Sequence, residues 1–162
     1  MFKDPVLQRQ TVRNFTDEKV DKYDVERLIA AFQAAPCGMH QTDVMQAAVV
    51  EDDEMLAKIE DATGQACYQA PLLFVISTRS DSAFGERDAS CAAENILVEA
   101  AWLRLGGVYC MSGAQALNNV KELKKNLDIP HNFEVTVIVC IGHPKEHNKI
   151  ERRSDRYKIN RF

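Results

Sequence analysis

The chain lacks most of the signatures that assign a chemistry at sight. No Cys-x-x-Cys pair occurs, which removes the usual basis for a thioredoxin-like redox centre or a zinc knuckle. No Gly-x-Gly-x-x-Gly follows an apolar run, so a Rossmann-type dinucleotide site is not indicated, and there is no Walker loop. A nucleophile elbow is absent too, which leaves only a Ser-His-Asp triad assembled from distant residues. No apolar run is long enough to span a bilayer, and the N-terminus is polar and charged rather than signal-like. The expected location is therefore cytoplasmic, with no membrane partner. Repeats, low-complexity stretches and linkers are missing, so the 162 residues are expected to form one domain, 1–162, large enough to bury its own core. An excess of either charge is also missing: 20 Lys+Arg stand against 24 Asp+Glu, for a net charge of −4. That argues against a nucleic-acid partner while leaving room for a local basic cluster to hold a small anion.

Five cysteines are present, at 37, 67, 91, 110 and 140. Their odd number, wide spacing and apolar or small-residue surroundings fit reduced, mostly buried thiols better than a disulfide framework. Cys37-Gly38-Met39-His40 and His143-Pro144-Lys145-Glu146-His147 have loosely ligand-like spacing. Such short patterns are more often loop chemistry, and no metal site is expected.

The pattern of apolar residues predicts an α+β fold. Asp4 and Pro5 open a first helix toward Arg9. Lys22 to Ala34 carries Val25, Leu28, Ile29 and Phe32 at helical spacing and stops before Pro36-Cys37-Gly38. Ala47-Ala48-Val49-Val50 reads as a strand, and Glu54 to Asp61 as a short amphipathic helix. Leu72-Leu73-Phe74-Val75-Ile76-Ser77 is a continuous apolar run of the kind a central strand shows. Asp88-Ala89-Ser90 is expected to cap the longest helix, which ends at Gly106-Gly107. A strand at Val108 to Met111, ending at Ser112-Gly113, a single helix at Leu117 to Leu127 and a strand at Glu134 to Ile141 follow. The tail is basic, with Lys149, Arg152, Arg153, Arg156 and Arg161.

One constellation points to a ligand. In Arg9-Gln10-Thr11-Val12-Arg13-Asn14-Phe15, two guanidinium groups flank a hydroxyl, a donor set suited to a phosphomonoester. Two surface arginines would read the same way, and the basic tail is equally a solvated face or a second wall of the same anion site.

Ordered segments over nearly the whole length decide between these. They are Arg9 to Phe15, Asp17-Glu18-Lys19-Val20, the helix into Ala35-Pro36, Tyr68-Gln69-Ala70-Pro71, Asp88 through Glu94-Asn95, Leu105-Gly106-Gly107 and Ile141-Gly142-His143-Pro144. In order and spacing the chain resembles a short member of the nitroreductase family. The resemblance implies a central mixed, mainly antiparallel sheet flanked by helices, an intertwined homodimer, and FMN bound at the subunit interface and reduced by NADH or NADPH.

The same resemblance implies roles for particular residues. Arg9 and Thr11, with Gln10, would hold the phosphate and ribityl chain, completed by Arg152 and Arg153. Arg13 would lie near the flavin N1 and C2 carbonyl. Pro36, Cys37, Gly38 and His40 would cover the ring from the other subunit. Ser112 and Gly113 would present a backbone N–H to N5, the hydride-accepting atom. No side chain need act as acid or base, so none is expected to be catalytic. The implied activity is ping-pong transfer to an electron-poor small molecule such as a nitroaromatic, quinone or enone, with a non-catalytic flavin-binding or sensor protein as the alternative. The chain departs from the family at Cys37, commonly serine, at His40, commonly asparagine, and at Thr42-Asp43-Val44, commonly Gln-Pro-Trp.

Overall fold

A computed structural model describes residues 4–146, 150 and 153–162. Lys149, Arg152 and His147, named above, lie outside the described residues. The elements in chain order are α1 (Pro5–Gln8), α2 (Lys22–Gln33), a 3₁₀ turn (Gly38–His40), β1 (Met45–Val50), α3 (Asp53–Thr63), β2 (Leu72–Arg79), α4 (Gly85–Trp102), β3 (Gly106–Cys110), α5 (Met111–Asn118), α6 (Lys121–Asn126) and β4 (Phe133–Gly142). No helix among the described residues is long and apolar enough to cross a membrane.

Local chemistry accounts for most of the boundaries. Asp4, Asp21 and Asp52 each cap a helix by accepting from a backbone N–H at the second or third helical position, at 2.8–2.9 Å. Such a cap contributes about 1 kcal/mol. The four strands pair antiparallel in the order β1-β2-β4-β3. A single parallel bridge, Thr11 to Gly107, adds the N-terminal segment to the open edge of β3.

The sheet is covered on both faces, which is why β2 reads as unbroken apolar sequence rather than as an alternation. Leu73 and Val75 point into a cluster with Ile59, Leu117, Ile138 and Cys140, beneath α3, α5 and α6. Leu72, Phe74 and Ile76 point the other way, onto Leu28 of α2 and the Ala89, Ala92, Ala93 and Ile96 face of α4. Each fully buried side chain of this size contributes about 1.5–3 kcal/mol. A bulge between Ile76 and Ser77 leaves Thr136 as the extra residue of β4, its hydroxyl 2.7 Å from that of Thr78.

Three expectations are corrected. Helix α4 begins at Gly85, and Asp88 lies buried inside its first turn rather than capping it. Ser112 and Gly113 belong to the first turn of α5, because Cys110 Sγ accepts from Gly113 N and starts the helix directly at the end of β3. Leu117 to Leu127 is two helices, not one. The side chain of Asn118 makes both bonds to the Val135 backbone, at 2.8 and 2.9 Å, pinning the end of α5 to β4 and turning the chain there.

Candidate functional site

Residues 9–16 follow the edge of β3 and then the end of β4. Val12 N donates to Gly107 O at 2.9 Å, Thr16 N to His143 O at 2.8 Å, and Lys145 N to Asn14 O at 3.0 Å. Val12 and Phe15 are buried and anchor the segment, while Thr11 and Arg13 are exposed. The space that Val12 fills exists because Gly106 has no side chain: a Cβ there would sit 2.7 Å from Val12 Cβ. Gly106 and Gly107 therefore serve close packing within β3, not helix termination.

Each arginine of the segment has a neighbour that the sequence did not disclose. Arg9 Nε is 3.2 Å from a Glu94 carboxylate oxygen on α4. With Glu94 about half exposed, this pair contributes at most about 1 kcal/mol, so a phosphate could replace it. Arg9 and half-buried Gln10 also border a cleft of about 310 Å³ with Arg104, Pro144 and Glu146. The Arg13 guanidinium carbon lies 6.0 Å from the centroid of the Tyr68 ring, at the outer range of a cation–π contact.

Tyr68 connects Arg13 to the start of α5. It sits in a turn where Gln65, Tyr68 and Gln69 all have positive φ, and where Glu60 of α3 accepts from Gln69 N. The neighbouring Cys67 packs on Gly113, with Sγ 3.5 Å from where a Gly113 Cβ would be. Arg13, Tyr68 and Ser112–Gly113 thus form one continuous stretch of structure. Ser112 is exposed and Gly113 buried, with the Gly113 N–H given to Cys110 Sγ at 3.3 Å.

The Pro36–His40 loop is held elsewhere, at the N-terminal end of α4. Gly38 N donates to Asp88 Oδ1 at 3.0 Å, and Gly38 lies so close to Phe84 that a Cβ would come within 2.3 Å of the ring. Met39 and His40 adopt positive φ. Pro36, Met39 and His40 project into solvent, and Cys37 is half-buried. Within one chain the loop is anchored to Phe84 and Asp88, and the arginine segment to Gly107, Glu94 and Tyr68. Arg153 is half-buried, and its Nε is buried without a hydrogen-bond partner. Two arginines on one edge with an exposed hydroxyl between them make up a donor set that fits a phosphate-bearing cofactor.

Sequence reasoning missed Glu94, Tyr68 and Asp88 as neighbours of these residues. Tyr68 and Glu94 stood in segments that carry the family resemblance without a role of their own, and Asp88, an acid at the head of an apolar helix, was read as a cap instead.

Comparison with known proteins places the chain and its fold. The Nitroreductase family profile matches residues 6–67 and 42–143. A protein of Archaeoglobus fulgidus, provisionally named an NADH dehydrogenase/NAD(P)H nitroreductase, is 28% identical over 97% of this chain and 93% of its own. A crystal structure provisionally named an NADH oxidase, from Clostridium acetobutylicum, is 29% identical, covers 98% of this chain and 100% of its own, and has a TM-score of 0.79. A nitroreductase crystallised with bound FMN, from Desulfitobacterium hafniense, is 18% identical and covers 100% of both chains with a TM-score of 0.86, a likeness of fold. The chain belongs to the nitroreductase family.

Proposed function

We propose that this chain is a single-domain, FMN-dependent NAD(P)H oxidoreductase acting as a homodimer. Reduction by NADH or NADPH, followed by reoxidation with a nitroaromatic, quinone or enone in ping-pong order, is the chemistry that bound FMN supplies. The observation that carries the reading is the continuity of Arg9, Thr11 and Arg13 with Tyr68 and the first turn of α5.

In this reading Arg9, Thr11 and Gln10 bind the phosphate and ribityl chain, with Arg153 and Arg152 closing the site. A phosphate of about two negative charges displaces the Glu94 carboxylate from Arg9, because charge-assisted bonds to an anion exceed an exposed ion pair. Arg13 holds positive charge beside the ring and stabilises its reduced form. Ser112 supplies the backbone donor toward N5, since the Gly113 N–H is already engaged by Cys110 Sγ, while helix first-turn amides are otherwise unpaired. Pro36, Cys37, Gly38 and His40 exclude water from the ring of the second copy. The dimer is supported by exposed apolar side chains, with Val6 57%, Leu7 65%, Met39 79% and Met111 57% accessible. No nucleic acid and no membrane is required.

The test is a visible absorption spectrum of the purified protein reconstituted with FMN, followed by anaerobic addition of NADH and then NADPH. The expected result is a yellow protein bleached by one or both nucleotides. A colourless protein without FMN affinity overturns the reading, and a yellow protein that neither nucleotide bleaches replaces it with a non-catalytic flavin protein.

A further inference from the structure

Three of the five cysteines meet in the core beneath the proposed site. Cys67 comes from the turn after α3, Cys110 from the end of β3 and Cys140 from the C-terminal part of β4. Cys110 stands opposite Ile138 and Cys140 opposite Val108, so the two are diagonal neighbours on one face of the sheet. Cys67 Sγ and Cys110 Sγ flank Gly113, at 3.5 and 3.0 Å from the position a Cβ would take there. Among the described residues no His, Cys, Asp or Glu cluster is arranged to hold a metal ion, so the chemistry open to these sulfurs is with each other.

The triad is asymmetric. Cys110 Sγ accepts from the Gly113 N–H at 3.3 Å and lies 3.7 Å from the Ser112 hydroxyl. It also caps the N-terminus of α5, where the helix dipole favours a thiolate. Hydrogen bonds from Cys140 and Cys67 are the main reason that its thiol ionises below the ordinary range. The other two thiols ionise above it, each chiefly because it hydrogen-bonds to Cys110, and Cys67 is pushed up to about 12. At rest the Cys110 thiol donates to Ala66 O at 3.1 Å, an interaction that only the protonated form makes. Cys110 is the member of the triad that ionises first. It is also the only one with any solvent access, 4% against zero for the other two.

We propose that Cys110 and Cys67 form an oxidisable dithiol, with hydrogen peroxide as the oxidant. The Cys110 thiolate attacks one peroxide oxygen, the O–O bond breaks, and, with one proton taken up, Cys110 becomes a sulfenic acid as water leaves. The Cys67 sulfur then attacks the Cys110 sulfur, the S–O bond breaks, and the Cys67 proton leaves with the hydroxyl as a second water. Two thiols lose two electrons to one peroxide, giving one disulfide and two waters. Cys140 stays a thiol. The new bond ties the Cys67–Tyr68 turn to the first turn of α5, the two elements that flank Arg13 and Ser112. Its effect on flavin affinity rests on the function proposed above, whereas its formation does not.

Folded protein without cofactor, treated with hydrogen peroxide and alkylated, should lose two hydrogens in intact mass. Peptide mapping should find the link between the Cys67 and Cys110 peptides, and dithiothreitol should reverse it. Cys67→Ala should instead trap a sulfenic acid at Cys110, captured by dimedone, and Cys140→Ala should leave the Cys67–Cys110 link intact. Oxidation confined to Cys37 and Cys91, with Cys67 and Cys110 alkylated after unfolding as free thiols, overturns the proposal. A dimedone adduct at Cys110 in the Cys67→Ala variant supports it even where Cys110→Ala fails to fold. The absorption spectrum with FMN is a separate measurement, so failure of either reading leaves the other standing.

Discussion

Replacing Asp88 with alanine should free the Pro36–His40 loop while changing the stability of the whole protein little. Two terms act in opposite directions. The Gly38 N–H loses its carboxylate acceptor, a bond of 3.0 Å whose loss costs about 1.5–3 kcal/mol when the partner is charged. Against this, Asp88 Oδ2 is buried with no hydrogen-bond partner, a burden of about 1–3 kcal/mol that alanine removes. The two offset each other in the global unfolding free energy, which should move by less than the local term and by no more than about 2 kcal/mol. They do not offset locally, because only the first bears on the loop. Opening of the loop should become roughly 10- to 150-fold easier, the equivalent of about 1.5–3 kcal/mol. Amide hydrogen exchange at Gly38 measures this directly, with urea unfolding as the global control. Asp88→Asn keeps one oxygen acceptor and should give an intermediate result. Unchanged exchange at Gly38 in Asp88→Ala, or a global loss of stability as large as the local one, would refute the assignment of Asp88 as the loop's anchor.

Gly106→Ala should drive Val12, and with it residues 9–13, off the edge of β3, since the new Cβ meets Val12 Cβ at 2.7 Å. Overpacking of this kind costs about 1–3 kcal/mol, read as a lower urea midpoint at unchanged slope, with FMN affinity falling in parallel. Phe74→Ala, at a fully buried position between β2 and α4, should cost about 3–5 kcal/mol in the same assay. Arg13→Gln should slow anaerobic flavin reduction by NAD(P)H more than it weakens FMN binding measured by fluorescence quenching; equal loss of both would contradict a role beside the ring rather than at the phosphate.

Much of the architecture was legible without coordinates because local rules governed it. The cap at Asp4, the apolar run of β2 and the helical spacing of Val25 and Leu28 each have a cause within a few residues. The misread elements have distant causes. Helix α5 ends where it does because Asn118 is bonded to Val135, and it begins where it does because a thiol, which is not a recognised capping group, accepts from Gly113 N.

The candidate site divides in the same way. Residue type and order, by themselves, offered Arg9, Thr11 and Arg13 as a donor set suited to an anion, and determined that the segments follow one another as in the nitroreductase family. Tertiary structure decided which groups face those residues: Glu94 beside Arg9, Tyr68 beside Arg13, Asp88 beneath Gly38, and the Cys110 thiol beside Ser112. The first three of these pairings join residues far apart in the chain, brought together only when α4 and the turn after α3 pack against the sheet. No periodicity or spacing encodes them, because they follow from how separate elements pack and not from any element's own sequence.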